Sequence, residues 1–370
     1  MNEKGEEKMA ANFSLVGTLR AMKENGFTVN NYDSGWMNEK LRFMVISGDN
    51  RHFVEINAGR WKDDEKNTIF ATTKSNGNEK GKSVQIAWDK RNDPETIDTI
   101  AGWRVFTVDL DTFNHRKELE ENGEDEALEA SQKKRKHFLA GTDFCEYVNK
   151  VVNSEKTKDM KFRVNGNINY NYSESTGRYF ETYEVNKIYR VDDDAEQTSE
   201  VSLDFYFDEN AFDEGMYEEY GKVNVNGYTT FYDNATKKNW FAPVTLVARD
   251  KINAWKKIFN KFEGDEVRKI NLVCQKINGA QRVNITIEDL DEDTQENIAL
   301  GLISEAEAIR EAGGQMFGDA VREMRIEKLG RGSAKGSETT AWSVSDLTKV
   351  PVKEEVEIDI FDTDDFDDEL

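Results

Sequence analysis

Two alternating stretches, Lys161-Phe-Arg-Val-Asn-Gly-Asn-Ile-Asn-Tyr-Asn-Tyr172 and Arg178-Tyr-Phe-Glu-Thr-Tyr-Glu-Val-Asn-Lys-Ile-Tyr189, decide the fold class of this chain. The turn Ser173-Glu-Ser-Thr-Gly177 joins them, so the sequence predicts a long β-hairpin whose side chains alternate between two faces. Gly166 interrupts the first strand, and a glycine allows a strand to bend at a barrel corner. This pattern is typical of the opening of a five-stranded OB barrel.

Short β-like segments continue on both sides of the hairpin, with polar turns between them. Before it they are 13–19, 41–46, 52–57, 68–73, 83–88 and 103–108, and after it 201–207, 222–228 and 243–248. Such spacing is typical of small barrels and sandwiches. The predicted fold class is therefore mainly β (α+β), with two OB-like β-barrel domains, helical insertions and a disordered acidic C-terminal tail.

The sequence suggests five regions. Residues 1–10 are a charged N-terminus that we expect to be disordered, and residues 11–112 an N-terminal OB-like β domain. Residues 113–158 are a charged helical connection, and residues 159–335 a second OB-like β domain with helical elements. Residues 336–370 are a linker and the acidic tail. No internal repeat is convincing at the level of the residues.

The net charge of −23 over 370 residues, from 50 basic and 73 acidic side chains, ordinarily argues against a nucleic-acid partner. Residues 353–370 alone carry −9, however, and Phe361, Phe366 and Leu370 stand among these acids. Acids interleaved with hydrophobic side chains can dock in a basic, apolar-floored groove. We therefore assign partner binding to these three residues, with a purely solvated tail as the alternative.

A second charged stretch, residues 114–137, opens acidic and closes with Lys133-Lys-Arg-Lys136. Its simplest interpretation is an exposed helical face. The alternative is a basic clamp for a polyanion.

No constellation of catalytic residues stands out. The three His and two Cys are too few and too scattered for most metal or triad chemistry, and no phosphate-binding glycine motif is present. Asp192-Asp-Asp194 and Asp289-x-Asp-x-Asp293 lack the Gly and the terminal Glu of a calcium loop. No apolar run approaches the ~20 residues that span a membrane. We expect a soluble, cytoplasmic protein that is not an enzyme and needs no metal or cofactor.

The aromatic residues are more informative than the acids. Tyr and Trp tolerate a wet face because each has a polar atom, and here Arg, Lys and Asn stand between them. Single-strand nucleic-acid binding needs rings that stack on bases and cations that follow the phosphates. The ordinary core and rim aromatics of a β-barrel are the alternative for any single residue. The candidate nucleic-acid-binding residues are Trp36, Arg42, Arg51, Trp61, Tyr170, Tyr172, Arg178, Tyr179, Tyr183, Tyr228, Tyr232, Trp240, Arg325, Lys328 and Arg331.

Several short strings carry a resemblance to a known family. They are Phe13-Ser-Leu-Val-Gly-Thr-Leu19, Asp33-Ser-Gly-Trp36, Gly48-Asp-Asn-Arg-His-Phe-Val-Glu-Ile-Asn57, Asn278-Gly-Ala-Gln-Arg-Val283 and Lys328-Leu-Gly-Arg-Gly332. With the acidic tail, the chain resembles the single-stranded-DNA-binding proteins of tailed bacteriophages. The resemblance implies an OB fold and a tail that recruits replication partners. The bacterial version of such a tail usually ends in Pro-Phe, whereas this one ends Asp368-Glu-Leu370.

The hypothesis is therefore a sequence-tolerant, non-enzymatic single-stranded-DNA-binding protein of phage DNA replication or recombination. It would act in the cytoplasm of the infected bacterial host, with no membrane partner, and its tail would recruit replication or recombination proteins. One alternative is a single-strand annealing or recombination mediator. Another is an acidic DNA mimic that inhibits a host factor, and such a mimic would have no positive groove.

Overall fold

The protein is described by a computed structural model over residues 11–77, 79–233, 235–262, 266–284, 286–312 and 315–351. The strands are β1 (Ala11–Ala21), β2 (Phe27–Asn31), β3 (Trp36–Ser47), β4 (Asn50–Trp61), β5 (Thr68–Thr72), β6 (Ser83–Ala87), β7 (Phe106–Asp109), β8 (Arg135–Phe138), β9 (Lys161–Ser173), β10 (Arg178–Arg190), β11 (Ser199–Phe207), β12 (Phe212–Asp213), β13 (Val223–Asp233), β14 (Lys238–Ala248), β15 (Arg268–Asn284), β16 (Gln315–Leu329) and β17 (Glu338–Thr339).

The helices are short by comparison. They are α1 (Pro94–Thr99), α2 (Phe113–Glu121), α3 (Asp125–Gln132), α4 (Gly141–Val152), α5 (Tyr217–Tyr220), α6 (Ile252–Phe259), α7 (Glu292–Ala299), α8 (Glu305–Glu311) and α9 (Val344–Leu347). Fifteen strands join in one large sheet, and β5 and β6 form a separate pair. The fold is therefore mainly β with some helices. Among the described helices, none is both long enough and apolar enough to cross a lipid bilayer.

Five strands of the large sheet form a closed cycle, the first strand cycle. β1 pairs antiparallel with β3, and β3 with β4. β4 pairs in parallel with β10, β10 antiparallel with β9, and β9 antiparallel with β1. The pairing thus returns to the strand on which it began.

A second strand cycle repeats this order of pairings. β11 pairs with β13 and β13 with β14, both antiparallel, and β14 pairs in parallel with β16. β16 pairs antiparallel with β15, and β15 antiparallel with β11. When the five strands of each cycle are taken in chain order, a helix lies between the third and the fourth. It is α4, between β4 and β9, in the first cycle and α6, between β14 and β15, in the second.

The long hairpin has different partners from those that the sequence suggested. It was expected to open the second domain, 159–335, but it forms β9 and β10 of the first strand cycle. Eight residue pairs, from Ala11↔Ile168 to Thr18↔Lys161, join it to β1. The hairpin therefore supplies the last two strands of the first cycle. The alternation of the hairpin predicted its two strands correctly. A local pattern cannot predict which strand, about 150 residues away, pairs with them.

One apolar core runs through both cycles and fixes the helices. α4 buries Phe144, Cys145 and Val148 against the first cycle, and α6 buries Trp255 and Phe259 against the second. Fully burying one such side chain stabilises the fold by about 1.5–3 kcal/mol. Because α4 packs on the first cycle, it is part of that unit, although the sequence placed it in a charged connection between domains.

Gly166, for which the sequence predicted a bend of the strand, lies where β9 closely approaches its neighbours. A Cβ at this position would meet the carbonyl oxygen of Glu184 and the ring of Phe13. The backbone of β9 therefore approaches its neighbours more closely than any side chain would allow. This close approach permits β9 to pair with β1 on one side and with β10 on the other.

Candidate nucleic-acid interface

The two cycles are joined by antiparallel pairing of β1 with β11 and by polar contacts at the start of β4. His52 Nε2 lies 2.7 Å from Ser199 Oγ on β11, and both side chains are buried. The backbone N–H of Asn278 on β15 donates to Asn50 Oδ1 (2.9 Å), and its side-chain amide donates to the carbonyl of Arg51 (2.6 Å). Burial, with the nearby charge of Lys276, lowers the pKa of His52 to about 4. These contacts hold the second cycle at a fixed position beside β4.

A cleft of about 570 Å³ opens beside this junction and has walls from both cycles. The first cycle contributes Phe53, Tyr170 and Glu181, and the second contributes Lys222, Asn224, Pro243, Val244, Thr245, Val247, Lys276, Asn278, Arg322, Glu323 and Met324. The lining therefore mixes apolar, amide and cationic groups, which is the composition that a single strand with bases and phosphates requires.

Cationic side chains outnumber acids around the cleft. Glu323 is buried and accepts hydrogen bonds from Lys222 (3.1 Å), Arg249 (2.9 Å) and Arg325 (2.9 Å). Burial alone would raise the pKa of Glu323, but these three donors outweigh it and lower the pKa to about 2. One carboxylate thus faces three cations.

The other charges of the cleft add to this excess. Lys276 pairs with Glu181 at 2.7 Å, and Arg322 is exposed at the edge. Five cations in all line the cleft or contact its buried acid, against two carboxylates. In a chain of net charge −23 this is a local reversal of sign.

Phe53 is the large apolar side chain that the cleft exposes most. It is 57% exposed and lies opposite Met44 in the β3–β4 register. Its strand alternates, with Arg51, Phe53, Glu55 and Asn57 on the outer face and His52, Val54 and Ile56 buried. Phe53 is not among the residues predicted from the sequence. The alternation in the sequence indicates that Phe53 is exposed, because it lies on the same face of β4 as three polar residues and not on the face of the buried ones.

The tyrosines of the hairpin do not form the open face that the sequence suggested. Tyr170 and Tyr183 are only 7% and 8% exposed and belong to the core. Tyr172 and Tyr179 are half-buried and lie 5.0 Å apart, and Tyr179 also contacts Phe231 of the second cycle. The odd-numbered residues of β9 face outward instead, and they are asparagines at 165, 167, 169 and 171. Tyr183 therefore offers no ring face to a base, and Tyr170 contributes only a small exposed surface to the cleft wall.

The tryptophans near the ends of β3 and β4 contact each other. Trp36 and Trp61 are register partners whose rings meet edge to face at 5.2 Å, and both are half-buried. Trp36 covers Gly59, where a Cβ would meet its ring. This pair lies at the opposite end of β4 from the polar contacts between the two cycles.

Predicted residues of the second cycle are largely covered. Trp342 contacts Phe241 at 5.2 Å, and Leu347 is 1% exposed in a cluster against which Tyr228 packs. The segment that precedes the tail therefore lies on the outer face of β14. Tyr232 is half-buried, and the indole of Trp240 donates to Thr236 Oγ1 (2.7 Å) while its ring packs against the main core.

The predicted cations are more dispersed than the sequence suggested. Arg325 contacts Glu323 beside the cleft, and Arg51 is exposed on the outer row of β4. Arg42 pairs with Glu55 (3.2 Å) and Lys328 lies 3.8 Å from Glu200. Arg178 and Arg331 are exposed, the first at the tip of the long hairpin.

The basic end of the charged connection is held by buried acids. Arg116 and Arg135 both contact Asp109, the latter at 2.7 Å, and Lys134 contacts Asp111 at 2.9 Å. Burial opposes ionisation of Asp111, yet its hydrogen bonds from Lys134 and Ser131 lower its pKa. These contacts fasten α2 and α3 to β7 and β8. The predicted partner-binding residues Phe361, Phe366 and Leu370 lie outside the described residues.

Among the described residues, no group of three or more His, Cys, Asp or Glu side chains is placed to hold a metal ion. Cys145 and Cys274 are buried thiols, and burial raises the pKa of both. Their environment is that of packing residues.

The sequence matches no protein-family model, and no curated protein is significantly similar to it. Solved structures of similar fold include two of a single-stranded DNA binding protein. One is the wild-type single-stranded DNA binding protein from Thermus aquaticus, at 9% identity and a TM-score of 0.32, covering 88% of this chain and 94% of that one. The other is a deletion mutant of the same protein, at 8% identity and a TM-score of 0.31, covering 88% and 95%.

Proposed function

We propose that this chain binds single-stranded DNA without catalysing a reaction and with little dependence on sequence. The observation that carries the proposal is the cleft between the two strand cycles, where cations surround Glu323 beside the exposed ring of Phe53. Cations in such a groove attract phosphates, and an exposed ring offers a stacking surface to any base. The DNA would follow the outer row of β4 into the cleft.

We also propose that each strand cycle is an OB-type barrel. The support is the order of pairings, which is the same in both cycles, and the helix that each has between its third and fourth strands. A five-stranded, partly open barrel that binds oligonucleotides on one face is the OB arrangement. On this assignment the first barrel includes the long hairpin, and the boundary lies near residues 191–198.

The biological setting of the proposal is DNA replication or recombination of a bacteriophage in the cytoplasm of its host. The acidic tail, with Phe361, Phe366 and Leu370, would recruit partner proteins. This part rests on the sequence resemblance and on the composition of residues 353–370. The local excess of cations at the cleft argues against the alternative of an acidic DNA mimic.

The first test is titration of labelled oligo-dT with full-length protein and with a variant that lacks residues 353–370. Binding is expected to weaken as salt rises. The shortened protein should bind more tightly, because it lacks a −9 segment that repels or competes with DNA. If neither protein binds at low salt, the proposal is wrong.

Two substitutions locate the site. Phe53→Ala should cost about 1–3 kcal/mol of binding free energy, the usual value of one stacked base. Arg322→Ala should reduce the slope of log affinity against log salt by about 0.7, because one phosphate contact is lost. Phe113→Ala and Lys117→Ala are the matched controls, since both side chains are exposed on α2 away from the cleft lining. Equal losses in the controls would place DNA elsewhere.

A further inference from the structure

We propose that a second, smaller pocket under Trp103 accepts one base of the bound strand and prefers bases that carry an exocyclic amino group. This inference rests on the proposed function and deepens it. The pocket has a volume of about 260 Å³, below the ~300–1,000 Å³ of typical small-molecule sites. It suits a single planar group rather than a larger ligand.

The pocket lies on the path that the proposed function gives to the strand. Asn57 at its edge follows Phe53 by four residues on the same outer row of β4. At about 3.3 Å per residue, the two are about 13 Å apart. A strand that enters the cleft at Phe53 and follows β4 therefore reaches the pocket.

The walls of the pocket are suited to a planar ring. Ile56, Val105 and Val185 line it, and each is buried, so the floor is apolar. Trp103 stands at the edge and is 69% exposed, although it is among the largest apolar side chains in the protein. An exposed indole beside an apolar floor can stack on one face of a base.

A backbone irregularity directs polar groups into the pocket. The β9–β10 register shifts between Val185 and Lys187, so that Asn186 is an extra, unpaired residue in β10. Bulges of this kind re-aim a side chain and occur often beside functional sites. Asn186 lines the pocket, and so does Asn167 on the neighbouring strand.

Glu184 completes the set of polar groups. Its Oε2 accepts a hydrogen bond from Asn169 at 2.5 Å, and a carboxyl group has lone pairs for more than one donor. A carboxyl oxygen accepts from the amino group of cytosine, and an amide can pair with adenine. Thymine has no amino group to offer. The pocket should therefore favour cytosine or adenine over thymine.

Arg104, the basic residue of the pocket, is placed to bind the phosphate backbone of the DNA strand. Arg104 donates from Nε to the carbonyl of Phe70 (3.0 Å), and its guanidinium lies 6.0 Å from the centre of the Phe106 ring. The group has four further N–H donors. A phosphate next to the bound base could accept from these donors while the base occupies the pocket.

The test compares oligo-dC, oligo-dA and oligo-dT of equal length with the full-length protein. Oligo-dC or oligo-dA is expected to bind about fivefold more tightly than oligo-dT, the lower end of the discrimination by one specific base contact. Trp103→Ala should weaken binding of all three, and Asn186→Leu should reduce the preference over oligo-dT. Phe113→Ala, with a ring that is 74% exposed, is the control for Trp103→Ala.

The outcomes separate this inference from the proposed function. Equal affinity for the three oligonucleotides in the wild-type protein would overturn the inference alone. A preference that survives both substitutions would overturn it as well, because the discrimination would then arise at another place. If no oligonucleotide binds, the proposed function fails and the inference fails with it.

Discussion

The junction between the two strand cycles should make stability depend on pH through one histidine. His52 is 3% exposed and contacts Ser199 of the second cycle at 2.7 Å. Burial and the charge of Lys276 lower its pKa from 6.5 to about 4. The folded protein therefore keeps the imidazole neutral at a pH where the unfolded chain is already protonated.

The sign and size of the effect follow from this difference. Between pH 6.5 and pH 4 the unfolded state binds more protons than the folded state, so the free energy of unfolding falls as pH falls. Relative to neutral pH, His52 should remove about 1 kcal/mol at pH 5.5 and about 2 kcal/mol at pH 4.5. The full difference between the two pKa values corresponds to about 3 kcal/mol.

The assay is urea unfolding followed by tryptophan fluorescence at pH 7.5, 6.5, 5.5 and 4.5. His52→Gln keeps a polar group beside Ser199 but cannot be protonated in this range, so its stability should fall less steeply on acidification. The difference between the two curves isolates His52, since carboxylates titrate in both proteins. His115→Gln is the matched control, because its imidazole is 47% exposed. If wild type and His52→Gln lose the same stability between pH 7.5 and 5.5, the reasoning is refuted.

Two further substitutions test the fold and the charge cluster. Gly166→Ala should lower the free energy of unfolding by about 1–3 kcal/mol, because its methyl group would overlap the Glu184 carbonyl and the Phe13 ring. Gly102→Ala, with no atom within 4 Å of its new Cβ, is the thermal-unfolding control, and equal effects of the two would contradict the close approach. Glu323→Gln should lower the free energy of unfolding by about 1–3 kcal/mol, since it removes the buried partner charge of three cations that are themselves partly solvated. The same change should tighten oligo-dT binding and steepen its salt dependence, and a weaker affinity in a folded variant would argue against DNA at the cleft.

The two strand cycles differ in what covers them. On the second, Trp342 and Leu347 occupy the outer face of β14, whereas Phe53 on the first remains 57% exposed. A strand of DNA would thus meet the first cycle along β4 and the second along the wall of the cleft. The pairing order is the same in both, but the accessible surface is not.

The sequence by itself determined the strands of the hairpin, the mainly β class and the separation of charge between the tail and the rest of the chain. These properties are local: alternation, glycine and charge runs act between neighbours in the sequence. The alternation of β4 also predicts that Phe53 is exposed, because it shares a face with Arg51 and Asn57.

Only the tertiary structure decided which strands pair and which aromatic residues face solvent. The hairpin belongs to the first cycle because β1 pairs with β9, a contact between residues about 150 positions apart. Tyr170 and Tyr183 carry a polar atom and have polar neighbours in their strands, yet they are buried because their parity points into the core that both cycles share. The cations around Glu323 come from β16 and from two loops, before β13 and after β14, that meet only after folding. Their concentration at one cleft, in a chain of net charge −23, is a property of the fold rather than of the composition.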